Sequence, residues 1–521
     1  MASVRLLALR TLRLPLLAAL TAGAVACVFQ KPLVKQLDLK RLPVSVNSPV
    51  KAHVFDGSTV VYPGGVTLAD NTVSGTGGRY ALGSSIPTAA TPIPLDSIVG
   101  METYDRDISV AASVFATAGV LAASVVGATG LAIAIFGSCP TIYADSAGTE
   151  LLQAEGFSYS IAPLFEQRDV DRLRLTPTAD GRVVLHVRNE ALETHYINHV
   201  ELMEVRHDVD ELALPDQGGH ALAVRNARPA ASVSDRAGRN ISGTVAAPDG
   251  ELFSTDDGIV RNVTAADLDD YIDIAVAAPR GVDSIALVLD MRNSLLNTVL
   301  LYDHILGAPG IKSLDWLGKD LGNISNAVDM GRWYTANMGM RVSVRDGAQY
   351  RRIARLGDSG PIAFHKIAVL VPAVRSGGDS VHIRLSFVAD DWRIDAIAIA
   401  ESWRRPSTRT IPASRVAMSD TAQNTRAAAS LRDADTGYLI TSPGQAFAIE
   451  FDVGAAPKAG RSWFVASQGY YTEWVRGSWI RTASGKPFTP TNESLVDAIR
   501  GWRAKQDDME RRFYSTRISA R

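Results

Sequence analysis

The chain has 521 residues, with 53 Lys and Arg against 55 Asp and Glu, and is 46% hydrophobic and 21% charged. At roughly 100–200 residues per domain, that length predicts about three domains with ample core-forming material. The near-neutral balance removes bulk electrostatic attraction to nucleic acid, and two cysteines exclude both a disulfide-stapled scaffold and a multi-cysteine zinc or iron–sulfur framework.

Residues 1–13 hold Arg5, Arg10 and Arg13 and no acid, and an uncharged run follows from Leu14 to Ala26. A basic start before an apolar stretch of 13 residues reads as a membrane-directed signal. The stretch is too short to cross a hydrocarbon core of about 30 Å. It ends in Ala24-Val25-Ala26-Cys27. Small residues leading into cysteine resemble a bacterial lipoprotein signal, in which cleavage before the cysteine frees its amine for acylation and its thiol carries diacylglycerol. Ala24 stands where that pattern usually has Leu, and a secretory peptide cut after Ala26 is the plainer alternative. Several acyl chains on Cys27 provide the stable anchoring that a single chain does not. Val28 rather than Asp follows Cys27, which by the same resemblance favours the outer membrane over the inner.

Residues 27–107 then form the lipidated N-terminus and a small β-module. His53–Asp56, Thr59–Tyr62 and Val66–Leu68 are strand-like and are separated by Asp56-Gly57-Ser58 and Pro63-Gly64-Gly65. Gly75, Gly77 and Gly78 miss the dinucleotide-binding spacing, since Tyr80 takes the third glycine's place, and read as loop glycines. Residues 108–136 follow, 29 residues without a charge and rich in Ala, Gly, Val and Ile. That length suits a tilted transmembrane helix, with a helix-packing face at Gly119, Ala123 and Gly127. A buried Ala-rich helix or a re-entrant hairpin is the alternative. The two membrane signals conflict, because a full inner-membrane span after an acyl anchor would send residues 140–521 to the cytoplasm.

Beyond residue 137 the chain reads as mainly β. Arg182–Asn189, His199–Arg206, Ile272–Ala277, Ser284–Met291, His365–Val371, Ser380–Phe387, Arg393–Ile399, Ala446–Asp452 and Ser462–Ser467 all have strand character. Little helix intervenes, which argues for several β-sandwich or small β-barrel modules rather than a parallel sheet. The expected modules are 137–300, 301–405 with a helical insert near Leu314–Asn337, and 406–486. Residues 487–521 close the chain as an amphipathic helix capped by Thr491 or Asn492, its stripe formed by Leu495, Val496, Ile499 and Trp502.

Gly137-Ser138-Cys139-Pro140-Thr141-Ile142-Tyr143, Val187-Arg188-Asn189-Glu190 and Ser467-Gln468-Gly469-Tyr470-Tyr471-Thr472-Glu473-Trp474 resemble motifs of an uncharacterised bacterial lipoprotein family with Ser-Cys-Pro-x-Ile/Val-Tyr. The resemblance implies a multi-module, β-rich envelope lipoprotein and brings no activity, cofactor or catalytic residue with it.

The best metal-like cluster is His195, His199 and His207, with Glu201. In an unbroken strand these share a face, but residues four apart lie about 13 Å apart, too far for one ion. Surface histidines are the stronger reading. Cys139 lacks a basic neighbour and reads as a structural thiol. No Gly-x-Ser-x-Gly elbow or phosphate loop is present. Asp390-Asp391 reads as a turn ahead of a strand. No catalytic residue and no cofactor is therefore assigned. Six of the eight tryptophans lie beyond residue 390, and Tyr470, Tyr471, Trp474 and Trp479 form the expected interaction patch, since rings at the surface stack on sugars or anchor a partner. The expectation is a lipid-anchored, non-enzymatic envelope protein facing an unknown protein or glycan. A glycan-binding protein or a glycan or peptide hydrolase is the alternative.

Overall fold

A computed structural model describes residues 43–81, 84, 86–104, 139–146, 149–277, 281–321, 324–375, 380–418, 424–454, 460–482 and 489–516. The expected signal, Cys27, the hydrophobic segment 108–136 and the packing face Gly119, Ala123 and Gly127 lie outside these residues. No helix among the described residues is long and apolar enough to cross a membrane. The fold is mainly β, 48% strand against 20% helix, and its seven antiparallel sheets are open, with no closed barrel among the described residues.

Two sandwiches dominate. In the first, Thr149–Glu155, Thr141–Ser146, Arg182–Arg188, Ala446–Asp452 and Arg415–Met418 form one sheet. It faces a sheet ordered Gln167–Leu173, Arg461–Glu473, Glu193–Arg206 and Ser407–Pro412. Alternate residues along each strand point inward, so Leu185, Ile449 and Phe451 meet Leu202, Trp463 and Val465 in one core. The second sandwich is inserted into the chain between residues 206 and 407 of the first. Its sheets centre on Ser284–Asn293 with Trp392–Ala400, and on Asp269–Ala277 with Ser380–Val388. Leu287, Ile397, Ile274 and Ile383 fill its core.

A three-stranded sheet, Glu211–Pro215, Ala221–Arg225 and Ser402–Arg404, bridges the two. The side-chain period of two makes this possible. Ala213 and Ala221 pack with Val205 and Phe464 of the first sandwich, whereas Leu214 and Leu222 pack with Ala286 and Ala368 of the second. Strand pairing therefore cuts across the boundaries expected at 300/301 and 405/406. Hydrogen-bonding partners are chosen by burial across the whole chain, which local composition does not register.

Residues 44–103 form a four-stranded sheet and most of a six-stranded one, and Val475 pairs with Met101 to tie the six-stranded sheet to the end of Arg461–Glu473. Gly77 belongs here as a close-approach residue, since a Cβ on it would lie 2.0 Å from the Val61 carbonyl oxygen. These sheets share a core with the short helices of residues 296–320, with the helix Ile324–Asn337 and with the C-terminal helix Asn492–Thr516. The helix begins as its sequence indicates. Thr491 Oγ1 accepts from Ser494 N at 3.2 Å, and Leu495, Val496, Ile499 and Trp502 are all buried.

Candidate functional site

A cavity of about 430 Å³ lies where four connections meet. These are the turn Pro163–Phe165, the π-helical stretch Leu300–Gly307, the helix Ile324–Asn337 and the loop 357–361. Its size falls within the range of small-molecule sites. One wall is apolar, formed by Leu164, Phe165, Leu301, Ile305 and Met330, with Leu164 half exposed at 53%. The floor is tied to the first sandwich, because Tyr471 N donates to Ser160 O at 2.8 Å and the Tyr471 hydroxyl donates to Ser158 O at 3.2 Å.

The lining also carries polar groups. Asn293 Nδ2 donates to Asp358 Oδ1 at 3.2 Å and to Asp391 Oδ1 at 3.3 Å, so two buried carboxyls share one amide. Tyr334 donates to Asp358 Oδ2, and Ser359 N donates to Asn293 Oδ1 at 2.6 Å. Burial pushes both carboxyls above their usual range, and Asp358 pushes Asp391 further. Asp390-Asp391 does sit in a turn before the strand Trp392–Ala400. Glu166, on the same cavity, accepts from Asn198 Nδ2 at 2.7 Å, Gln468 Nε2 at 3.0 Å and the Tyr438 hydroxyl at 2.7 Å. Tyr159 Oη and Asn297 Oδ1 are buried in the wall with no hydrogen-bond partner among the described residues. No histidine, cysteine or lysine is among the described residues lining the cavity.

Tyr302 connects the cavity to a second network behind it. Glu193 and Glu473 are cross-strand partners, fully buried, beside His195. Burial pushes Glu193 up to about 8, lifts Glu473 well above its usual range with the Glu193 charge adding to it, and drops His195 to about 3. His195 Nε2 and Glu193 Oε1 are 2.5 Å apart. Next to them Glu102 meets Lys51 Nζ at 3.4 Å, His53 Nε2 at 3.1 Å and the Thr194 hydroxyl at 2.7 Å. Burial opposes ionisation of Glu102, but Lys51 and His53 overcome it and hold the carboxyl at about 2.

The three histidines do not converge. A bulge at Asn198 shifts the register between Ile197 and His199, which turns His199 to the face opposite His195. His199 bonds with Leu431 O and Glu201, and His207 with Ser462 Oγ at 2.9 Å. Among the described residues no group of three His, Cys, Asp or Glu side chains is placed to hold a metal ion. The aromatic patch is also corrected. Tyr470, Tyr471 and Trp474 are buried, and Trp479 is half-buried. Tyr470 and Tyr471 lie on a strand interior to its sheet, Trp474 follows that strand and Trp479 is on the short helix Gly477–Thr482; Tyr470 stacks on Tyr196 at 4.5 Å, and Trp474 stacks on His53 at 3.7 Å. Cys139 is a buried thiol that donates to Glu155 Oε1 at 3.2 Å; burial and the Glu155 charge keep it protonated. The cavity residues Tyr159, Asn293, Tyr334 and Asp358 carry no local motif, and nothing in their spacing marks them out.

No protein-family model matches the chain, and no curated protein matches it. Among solved structures, the GH31 alpha-xylosidase from Xanthomonas citri aligns at 8% identity over 82% of this chain, with a TM-score of 0.16. This chain spans 38% of the xylosidase. Sulfolobus Turreted Icosahedral Virus aligns at 7% identity over 64% of this chain and 89% of that one, with a TM-score of 0.14. The infectious bursal disease virus Gx strain aligns at 8% identity over 89% and 86%, with a TM-score of 0.12. Scores this low establish no shared architecture.

Proposed function

We propose that this chain is a lipid-anchored protein of the bacterial cell envelope, attached through acylated Cys27 at the outer membrane, and that it binds a small ligand rather than converting one. It resembles an uncharacterised lipoprotein family in its signal and its Ser-Cys-Pro motif, which is the support for the address. The observation that carries the binding reading is the cavity of about 430 Å³ at the junction of four connections. Acid–base or nucleophilic chemistry needs a base free to reach a proton or a nucleophile. In this cavity both carboxylates are already held, Asp358 by Asn293 and Tyr334, and Glu166 by three donors.

Native mass spectrometry of the full chain released from membranes tests the binding. The expected spectrum shows a retained small molecule that is lost in Met330→Trp, a substitution that fills the apolar wall. A ligand-free spectrum, with no uptake of the neutral dye N-phenylnaphthylamine, would refute it. Radiolabelled palmitate incorporation that survives Cys27→Ser would refute the anchor. A periplasm-dependent reporter fused after residue 150 is expected to be active; a silent one refutes the envelope placement of the sandwiches.

A further inference from the structure

We infer that the cavity takes an uncharged amphiphile, an apolar body ending in a group that both donates and accepts a hydrogen bond, such as a hydroxyl or an amide. The inference rests on the binding reading above and names its ligand class. Two buried atoms in the cavity wall point to the head group. Tyr159 Oη and Asn297 Oδ1 both line the cavity and have no partner among the described residues. An amide oxygen only accepts, while a phenol in this setting stays neutral and donates. Burial and the nearby carboxyl of Asp358 keep the Tyr159 proton in place. Ser158 Oγ and Arg355 Nε, on two more lining residues, are open as well among the described residues. Buried polar atoms are normally paired, so four left open in one cavity mark a place for an occupant. A hydroxyl or amide carries both complements, a hydrogen of the kind Asn297 Oδ1 accepts and an oxygen of the kind the Tyr159 hydroxyl donates to.

The body is set by the apolar part of the lining. Leu301, Ile305 and Met330 face the cavity, and Leu164 stands half exposed at its rim, where an apolar ligand would cover it. Charge of either sign is unwelcome. An anion would meet Asp358 and Glu166, and among the described lining residues Arg355, whose Nε–H is open, is the one cation that opposes them. A cation would meet Arg355 and two carboxyls whose oxygens already accept hydrogen bonds, after losing its water to an apolar wall.

Calorimetric titration of the full chain carrying Cys27→Ser, which removes the acyl anchor, with one and the same detergent background in every titration, tests this. Octanol and octanamide are expected to bind at least about tenfold more tightly than octanoate and octylammonium, the scale of one lost hydrogen bond to a charged or misfitting head. Tyr159→Phe deletes only the hydroxyl. It is expected to weaken octanol by about tenfold while leaving N-phenylnaphthylamine binding unchanged. Charged heads binding as tightly as octanol, or an unaltered octanol affinity in Tyr159→Phe, would overturn the ligand class and leave the binding reading standing. No binding of any of the five probes by a folded chain would overturn both.

Discussion

Trp502 is the buried anchor of the C-terminal helix, and its replacement by Ala is expected to release that helix from the sandwiches. The indole is fully buried, and its Nε1–H donates to Asp390 Oδ2 at 2.7 Å. Asp390 also accepts from Arg393 Nη1 at 2.8 Å and from Arg503 Nη1 at 3.3 Å, so it keeps two partners when the indole is gone. Removing a buried Trp side chain costs about 3–5 kcal/mol in transfer and cavity terms. The lost hydrogen bond adds about 1 kcal/mol, the low end of its range because the carboxylate stays paired. A total of about 5 kcal/mol corresponds to between three and four powers of ten in local opening, at about 1.4 kcal/mol per tenfold. Trp502→Phe keeps most of the packing and loses the donor, for about 1–2 kcal/mol and about tenfold. Hydrogen exchange of peptides from residues 492–511 in the full chain reads both. Exchange in Trp502→Ala within about threefold of wild type would show that the helix is held elsewhere, by Leu495 and Ile499, and would refute the anchoring role.

The buried carboxyls make stability depend on pH. Glu193, with a usual value near 4.5, is raised to about 8, so unfolding releases its proton between those limits and its contribution to stability falls as pH rises from about 4.5 to 8. Glu193→Gln is expected to flatten that slope in thermal melts, and an unchanged slope would be inconsistent with the shift. Glu102 has the opposite sign. Held at about 2 by Lys51 and His53 against burial, it contributes above about 4.5, and Glu102→Gln is expected to reduce the loss of stability on acidification. The Cys139 thiol, 2% exposed and kept protonated, is expected to resist Ellman's reagent in native buffer and to react fully in denaturant when assayed in the Cys27→Ser chain. Fast native labelling would contradict its burial. Gly77→Ala forces a methyl against the Val61 carbonyl and is expected to lower the melting temperature, whereas Gly64→Ala, which meets nothing within 4 Å, is expected to leave it nearly unchanged.

Much of the local structure is legible in the residues. Ala446–Asp452 alternates and forms a strand with those same limits, and the Leu495–Trp502 stripe marks the face that the closing helix buries. These signals are local because side-chain periods of two and 3.6 belong to the strand and the helix themselves. The aromatics at 470–474 lie beyond the strand legible at Ser462–Ser467 and were expected at the surface, whereas that strand runs on to Glu473 with neighbours on both sides and cores on both faces, so it needs no polar face. The bulge at Asn198 left no mark either, and a one-residue register shift was enough to separate His195 from His199.

The amino-acid sequence by itself determined the fold class, strands such as Ala446–Asp452 and the closing helix, because each follows from the periodic burial of neighbouring residues, while strands such as Thr141–Ser146 and Gln167–Leu173 carry no comparable signal. Only the tertiary structure decided which strands pair, that one sandwich interrupts another, and that Tyr159, Asn293, Tyr334 and Asp358 meet around one cavity. Those four residues come from separate stretches of chain, and long-range hydrogen bonds such as those of Asn293 and Tyr334 to Asp358 join them. Burial energy summed over the whole chain selects such contacts, and no window of sequence contains that sum.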